Sequence, residues 1–281
     1  MIAREQRKRS MPKFAANLTM MFTELPFLDR FAAAAAASFQ AVEFLFPYDF
    51  EKQQIADLLA ANELTLVLHN LPAGDWAGGE RGIGCHPARV DEFRAGVERA
   101  IDYATALGCP RVNCLAGILP AGVSADAARA TLVENLRYAA ARLEAANIEL
   151  LLEHVNSRDI PGFFVDRSRP AVEIITEVAS ANLKLQYDIY HAQVLEGDLA
   201  RTIETEFARI GHIQLADNPG RHEPGSGEIN FPYLFRRIDE LGYTGWIGCE
   251  YKPRTTTIDG LGWFEPYRST RPATQTPSST S

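Results

Sequence analysis

The chain of 281 residues is poor in several features that mark large classes of protein. Its four cysteines (Cys85, Cys109, Cys114 and Cys249) are scattered and none forms a CxxC pair, which argues against a disulfide framework and fits a reduced, cytoplasmic compartment. No run of about 18 apolar residues exists, so no membrane-spanning helix is expected. The richest candidate, Phe31–Phe39, is mostly alanine and reads as a buried helix. Excess positive charge is missing too: 28 Lys and Arg stand against 36 Asp and Glu, a formal charge of −8. Such a surface repels phosphate backbones, so a nucleic-acid partner is not expected, although a local cationic pocket still suits a small anion. The basic first ten residues (Arg4, Arg7, Lys8 and Arg9 against Glu5) are followed by no apolar segment, so a secretory signal is not expected and Met11 is an alternative start. Finally, the first strand-like run leads into NLTMMFTE without a glycine, unlike the phosphate loop of an open dinucleotide-binding sheet.

What the sequence does contain is alternation. Short apolar runs recur at Lys13–Leu18, Gln40–Phe44, Thr65–His69, Arg111–Leu115, Ile148–Glu153, Leu183–Asp188, His212–Leu215 and Trp246–Glu250. Their lengths suit buried parallel strands. Between them lie amphipathic helical patterns. Val90–Leu107 repeats apolar residues near a 3.6 period, as does Ala125–Ala146, and Gly108 and Gly242 stand where helices should stop. Strand–helix units of roughly 32 residues, repeated over about 255, predict a (β/α)8 TIM barrel, with a doubly wound open sheet as the alternative α/β fold. The barrel is expected over residues 12–267, preceded by a disordered basic arm (1–11) and followed by a disordered tail (268–281) in which eight of fourteen residues are Ser or Thr.

The later strands end in carboxylates. The fifth ends at Glu153, the sixth at Asp188 and the eighth at Glu250, while the seventh carries Gln214 near its end. The spacings of 35, 26 and 36 residues are each about one βα unit. These side chains are therefore expected at one height at the C-terminal mouth, where barrels build active sites. Each alone could cap a helix or pair with an arginine. Together, three buried carboxylates repel one another unless a cation joins them. Oxygen-only ligation by Glu153, Asp188, Gln214 and Glu250 suits Mg²⁺ or Mn²⁺ better than Zn²⁺.

Other polar groups surround this set. His69 ends the third strand, His191 follows Asp188, Arg221 lies in the loop NPGRHEPGSGEINF, and Lys252 follows Glu250. A guanidinium fork matches a carboxylate, so Arg221 is a candidate substrate clamp, with a solvated loop arginine as the alternative. His154 should alternate away from Glu153, and His212 should share the face of Gln214, deeper in the barrel.

The segments FAANLTMMFTELPFLDRF, VEFLFPYDF, LEHVNSRDIPGFF, LQYDIYHAQ, GHIQLADNPGRHEPGSGEINF and GCEYKP resemble the hydroxypyruvate isomerase family, a branch of the xylose isomerase-like TIM barrels that includes 2-oxo-tetronate isomerases. The resemblance covers residues 12–267. It implies metal ligands at Glu153, Asp188, Gln214 and Glu250, proton transfer by Glu153 and Glu250, and substrate contacts from His191 and Arg221; His69 and Lys252 join them as candidate substrate contacts from their positions beside the carboxylates. It further implies a metal-dependent aldose–ketose type isomerase acting on a small 2-oxo acid. The expected reaction interconverts hydroxypyruvate and 2-hydroxy-3-oxopropanoate (tartronate semialdehyde) through a metal-bound enediolate. A 2-oxo-tetronate isomerase and a ketose 3-epimerase are the alternatives. Barrels of this group are often dimers or tetramers, and no apolar seam in the sequence decides whether this chain is a homo-oligomer. An abasic-site nuclease shares the fold but needs a histidine-rich multi-metal site and a basic groove, neither of which the sequence offers.

Overall fold

The computed structural model describes residues 11–268. Its eight strands are β1 (Lys13–Asn17), β2 (Ala41–Glu43), β3 (Thr65–Asn70), β4 (Arg111–Cys114), β5 (Glu149–Glu153), β6 (Leu183–Asp188), β7 (Ile210–Leu215) and β8 (Trp246–Cys249). They pair in chain order, all parallel, and the sheet closes with Ala15 of β1 opposite Gly248 of β8. The (β/α)8 barrel is thus the observed fold, and closure excludes the open doubly wound sheet. The outer helices are α1 (Arg30–Ala36), α2 (Lys52–Ala61), α3 (Val90–Leu107), α4 (Ala125–Ala145), α5 (Ser168–Val178), α6 (Ile189–Leu195), α7 (Leu199–Glu206) and α8 (Phe231–Leu241). Gly108 and Gly242 end α3 and α8 in the left-handed conformation that only glycine adopts without strain. Apart from Met11 and Arg268, the expected basic arm and Ser/Thr tail lie outside the described residues. Among the described residues, no helix is long and apolar enough to cross a membrane.

The interior is built in layers. Ala15, Ala41, Val67, Leu68 and Leu151, covered by Trp246, form an apolar plug near the strand starts. The main core lies outside the barrel, where strands meet helices and where Phe14, Phe31, Phe39, Leu132 and Phe231 are buried. Above the plug the barrel turns polar, with Glu43, Gln186 and His212 buried in its middle. Gly248 makes room for this layer, because a side chain there would occupy the space of the Glu43 carboxylate. Strand pairing then sets the height of the mouth: Glu153 stands opposite Gln186, and Asp188 opposite Gln214.

Candidate active site

Glu153 ends β5, Asp188 ends β6 and Glu250 directly follows β8. With His191 of α6 they converge: one potential ligand atom from each lies within 4.8 Å of all the others, and all four residues are buried. Such crowding has an electrostatic consequence. Burial, aided by the charges of Glu250 and Asp188, pushes Glu153 well above the usual carboxylate range. Burial likewise pushes Glu250 up to about 8 against the pull of Arg221, and raises Asp188. One oxygen of Asp188, Oδ2, is buried without a hydrogen-bond partner. A cluster of oxygen donors whose charges oppose one another and whose central oxygen is unpaired fits a hard divalent cation.

Two residues temper this charge. Arg221 Nη2 donates to Glu250 Oε2 at 2.6 Å and lies 3.9 Å from Asp188 Oδ2. Its guanidinium also stacks over the ring of Tyr190, 5.1 Å from the centroid. Arg221 therefore serves the carboxylate cluster, with a φ of 55° that is uncommon for a side-chain-bearing residue. The loop carrying it is tied down by buried Asp217, whose two oxygens accept backbone N–H bonds from Asn218, Gly225, Gly227 and Ile229. His191 is fixed as a donor. Its Nδ1 faces two N–H groups of Asn156, the side-chain amide at 2.6 Å and the backbone at 3.3 Å. Asn156 Oδ1 is committed to Asp159 N, which sets the amide's orientation. The ring proton consequently belongs on Nε2, which points at Asp188 Oδ2 (3.5 Å) and Glu153 Oε1 (3.9 Å). Burial holds the ring well below the ordinary histidine value, so it is neutral.

Gln214 stands at the height of Asp188 but is bonded downward and sideways. Its Nε2 donates to Glu43 Oε1 at 2.8 Å, and its Oε1 accepts from Gln186 Nε2 at 2.6 Å. Lys252 lines the mouth, its backbone bonded to Arg221 and to the His222 ring. His69 does not reach the mouth. As the last but one residue of β3 it points away from the cavity toward Tyr48, with Nδ1 3.1 Å from Asn70 O, and burial lowers it to about 4. Its neighbour Asn70, which alternation turns inward, lines the cavity in its place. His154 is buried outside the barrel beside Tyr187, as alternation requires. His212 lies deep in the barrel on Glu43.

Four residues in and beneath the site lie outside the sequence-based expectations. Glu43 stands in the run QAVEFLF, whose apolar residues continue past it, so a strand-end criterion does not single it out. Asn17 and Asn113 bridge to it and to Glu153, at 3.0 and 2.8 Å respectively. Arg81 came from a loop without periodicity. The cavity, which Arg81 lines together with Glu153, His191, Arg221 and Glu250, has a volume of about 300 Å³ and an apolar wall including Leu45, Trp76, Ile160 and Phe163.

A closed parallel barrel with a buried carboxylate cluster at its C-terminal mouth has the arrangement in which barrel enzymes build their active sites. Residues 31–267 match the xylose isomerase-like TIM barrel model. The chain is 55% identical to the hydroxypyruvate isomerase of Escherichia coli (strain K12), over 92% of this chain and all of the relative. It is 51% identical to the 2-oxo-tetronate isomerase of Cupriavidus necator, over 92% of this chain and 99% of the relative. A solved structure from Brucella melitensis, titled AP endonuclease, family 2, superposes with a TM-score of 0.90 at 48% identity, covering 92% of this chain and 100% of that one. The chain belongs to the xylose isomerase-like TIM barrel family, and with relatives this close it is an isomerase.

Proposed function

We propose that the protein interconverts hydroxypyruvate and 2-hydroxy-3-oxopropanoate, with a divalent cation, Mg²⁺ or Mn²⁺, held by Glu153, Asp188 and Glu250 and completed by Gln214. The observation that carries this reading is the convergence of two glutamates with raised proton affinity on one small, partly apolar cavity. The metal would polarise the substrate carbonyl and so acidify the neighbouring C–H.

The chain's own residues then divide the work. One glutamate takes a proton from C3, and the electron pair of that bond forms the C2–C3 double bond of an enediolate. The other glutamate delivers a proton to C2, and the C3 oxygen becomes the aldehyde. Burial and mutual repulsion favour a single proton shared between Glu153 and Glu250, the state that leaves one base and one acid. His191 Nε2–H stands beside Glu153 and Asp188, where it can pass a proton between the two substrate oxygens. Arg221 keeps Glu250 oriented, and Tyr190 beneath its guanidinium keeps the arginine in place.

The second reading, a 2-oxo-tetronate isomerase, is favoured by the cavity itself, since about 300 Å³ leaves room beyond a three-carbon acid. Both readings use the same chemistry at adjacent carbons. The carboxylate-rich mouth and the net charge of −8 oppose any nucleic-acid substrate. The deciding experiment assays metal-stripped protein restored with Mg²⁺ or Mn²⁺ on hydroxypyruvate and on both 2-oxo-tetronate epimers. A higher kcat/KM for hydroxypyruvate supports the first reading. Turnover of the four-carbon acids alone overturns it in favour of the second.

A further inference from the structure

The substrate proposed above is an anion, and the cavity needs a group to receive its carboxylate. Three cations line the cavity: Arg81, Arg221 and Lys252. Arg221 is already bonded to Glu250 and stacked on Tyr190. Lys252 is exposed and carries its charge on a flexible stem. Arg81 differs from both. Among the described residues it makes no ion pair, although its neighbours Glu80 and Arg89 pair with each other. Its guanidinium lies over the Trp76 ring, 4.5 Å from the centroid, and Trp76 in turn packs on Phe46 at 5.0 Å. Only Nη1 is spent, on the carbonyls of Trp76 and Glu80 at 3.0 and 2.7 Å. Nε and Nη2 are left for a ligand.

The loop that carries Arg81 is built to hold it still. Gly82 (φ 115°) follows it directly and lies against the backbone of Leu115, while Gly117 (φ 96°) lies against the backbone of Gly82. A side chain on either glycine would collide with a carbonyl, so the two loops after β3 and β4 are locked backbone to backbone. A half-buried guanidinium fork, stacked on an aromatic face and fixed by a rigid loop, is a preorganised receptor for a carboxylate.

We propose that Arg81 is the specificity-determining residue that binds the carboxylate of the 2-oxo acid substrate, while Arg221 serves the catalytic glutamate. This inference rests on the reading of the site as a 2-oxo acid isomerase. In wild-type, Arg81→Met, Arg81→Lys and Lys252→Met proteins, KM and kcat for hydroxypyruvate are measured, together with calorimetric binding of glycerate and of neutral glycerol. Arg81→Met should raise KM by about 30-fold or more with kcat within about fivefold of wild type, as expected when a charge-assisted bidentate contact is lost. Arg81→Lys should fall between, because it keeps the charge and loses the fork. Glycerate binding should weaken in parallel while glycerol binding stays unchanged, a split that a merely structural defect would not give. An unchanged KM and glycerate affinity in Arg81→Met overturns the proposal, and a loss confined to Lys252→Met moves the anchor there. If wild-type protein turns over no 2-oxo acid, the isomerase reading fails by itself. Arg81 is then judged on glycerate alone, and wild-type protein that fails to bind glycerate overturns its assignment as well.

Discussion

His212 Nε2 lies 2.7 Å from Glu43 Oε2, and both residues are fully buried in the middle of the barrel. The other carboxylate oxygen accepts from Asn17 at 3.0 Å and from Gln214 at 2.8 Å. A carboxylate oxygen accepts the Gln214 amide N–H, so Glu43 fixes that amide with Nε2 pointing down and Oε1 turned to Gln186 Nε2, the oxygen a cation would draw on. Glu43 is thus a positioning residue that ties strands β1, β2 and β7 together beneath the mouth.

Replacing Glu43 by alanine should therefore cost stability first, by about 3–5 kcal/mol, because three buried donors lose their acceptor at once. Glu43→Gln keeps the volume and should fold, but its amide can no longer dictate the orientation of Gln214. Mn²⁺ affinity, titrated by calorimetry or electron paramagnetic resonance, should drop about 10–100-fold in this variant. Wild-type Mn²⁺ affinity in Glu43→Gln would show that Gln214 needs no such support.

The barrel and most of its mouth were legible in the sequence for one reason: in a parallel sheet buried on both faces, every strand is an apolar run and each run stops where the active site begins. Glu153, Asp188 and Glu250 could be read because each breaks such a run at its C-terminal end. Glu43 breaks its run in the same way, but β2 is only three residues long and its pairing with β3 shifts register at that residue. Its apolar run continues into Phe44, so the break was hidden. The end of a strand does not say which face a side chain takes, and one residue of phase puts Asn70 on the cavity rather than His69. Arg81 had no signal, since its placement depends on Gly82 meeting Gly117, which lies 35 residues away in sequence.

Raised proton affinities make the metal-free protein sensitive to alkali. In the folded chain Glu250 titrates at about 8, above its ordinary 4.5, so the folded state holds this proton more tightly than the unfolded one. The stability linked to that proton is complete below about 4.5 and is lost as pH rises through about 8. Glu153 and Asp188 shift in the same direction. The melting temperature of chelator-treated protein should thus fall between about pH 6 and about pH 8.5, and added Mn²⁺ should restore more of it at the higher pH, where the ligands have lost their protons. Equal protection by Mn²⁺ at both pH values would contradict a metal site built on these carboxylates.

Asp217 offers a test away from the cluster. Its carboxylate gathers four backbone N–H groups of the loop that presents Arg221. Asp217→Ala should destabilise the protein by about 2–4 kcal/mol, since buried donors are left unpaired. Asp217→Asn retains one acceptor oxygen, and should lose kcat more than stability as Arg221 drifts from Glu250. Hydrogen exchange at Gly225, Gly227 and Ile229 would locate the change, and unaltered protection there in Asp217→Ala would refute the clamp.

Glu250→Gln separates chemistry from folding. The amide keeps an oxygen for Arg221 but neither takes nor supplies a proton, so kcat should fall about 10²–10⁴-fold. Stability should move the other way: the neutral side chain removes a buried carboxylate that both burial and Asp188 oppose. The metal-free variant should accordingly melt at or above the wild-type temperature at about pH 8 and show a flatter dependence on pH. Turnover in D₂O adds a second readout, because a glutamate that exchanges its proton with solvent leaves deuterium at C2 of the product. A variant that keeps near-normal turnover would remove Glu250 from the proton relay, and the deuterium content of its product would show whether Glu153 serves both carbons.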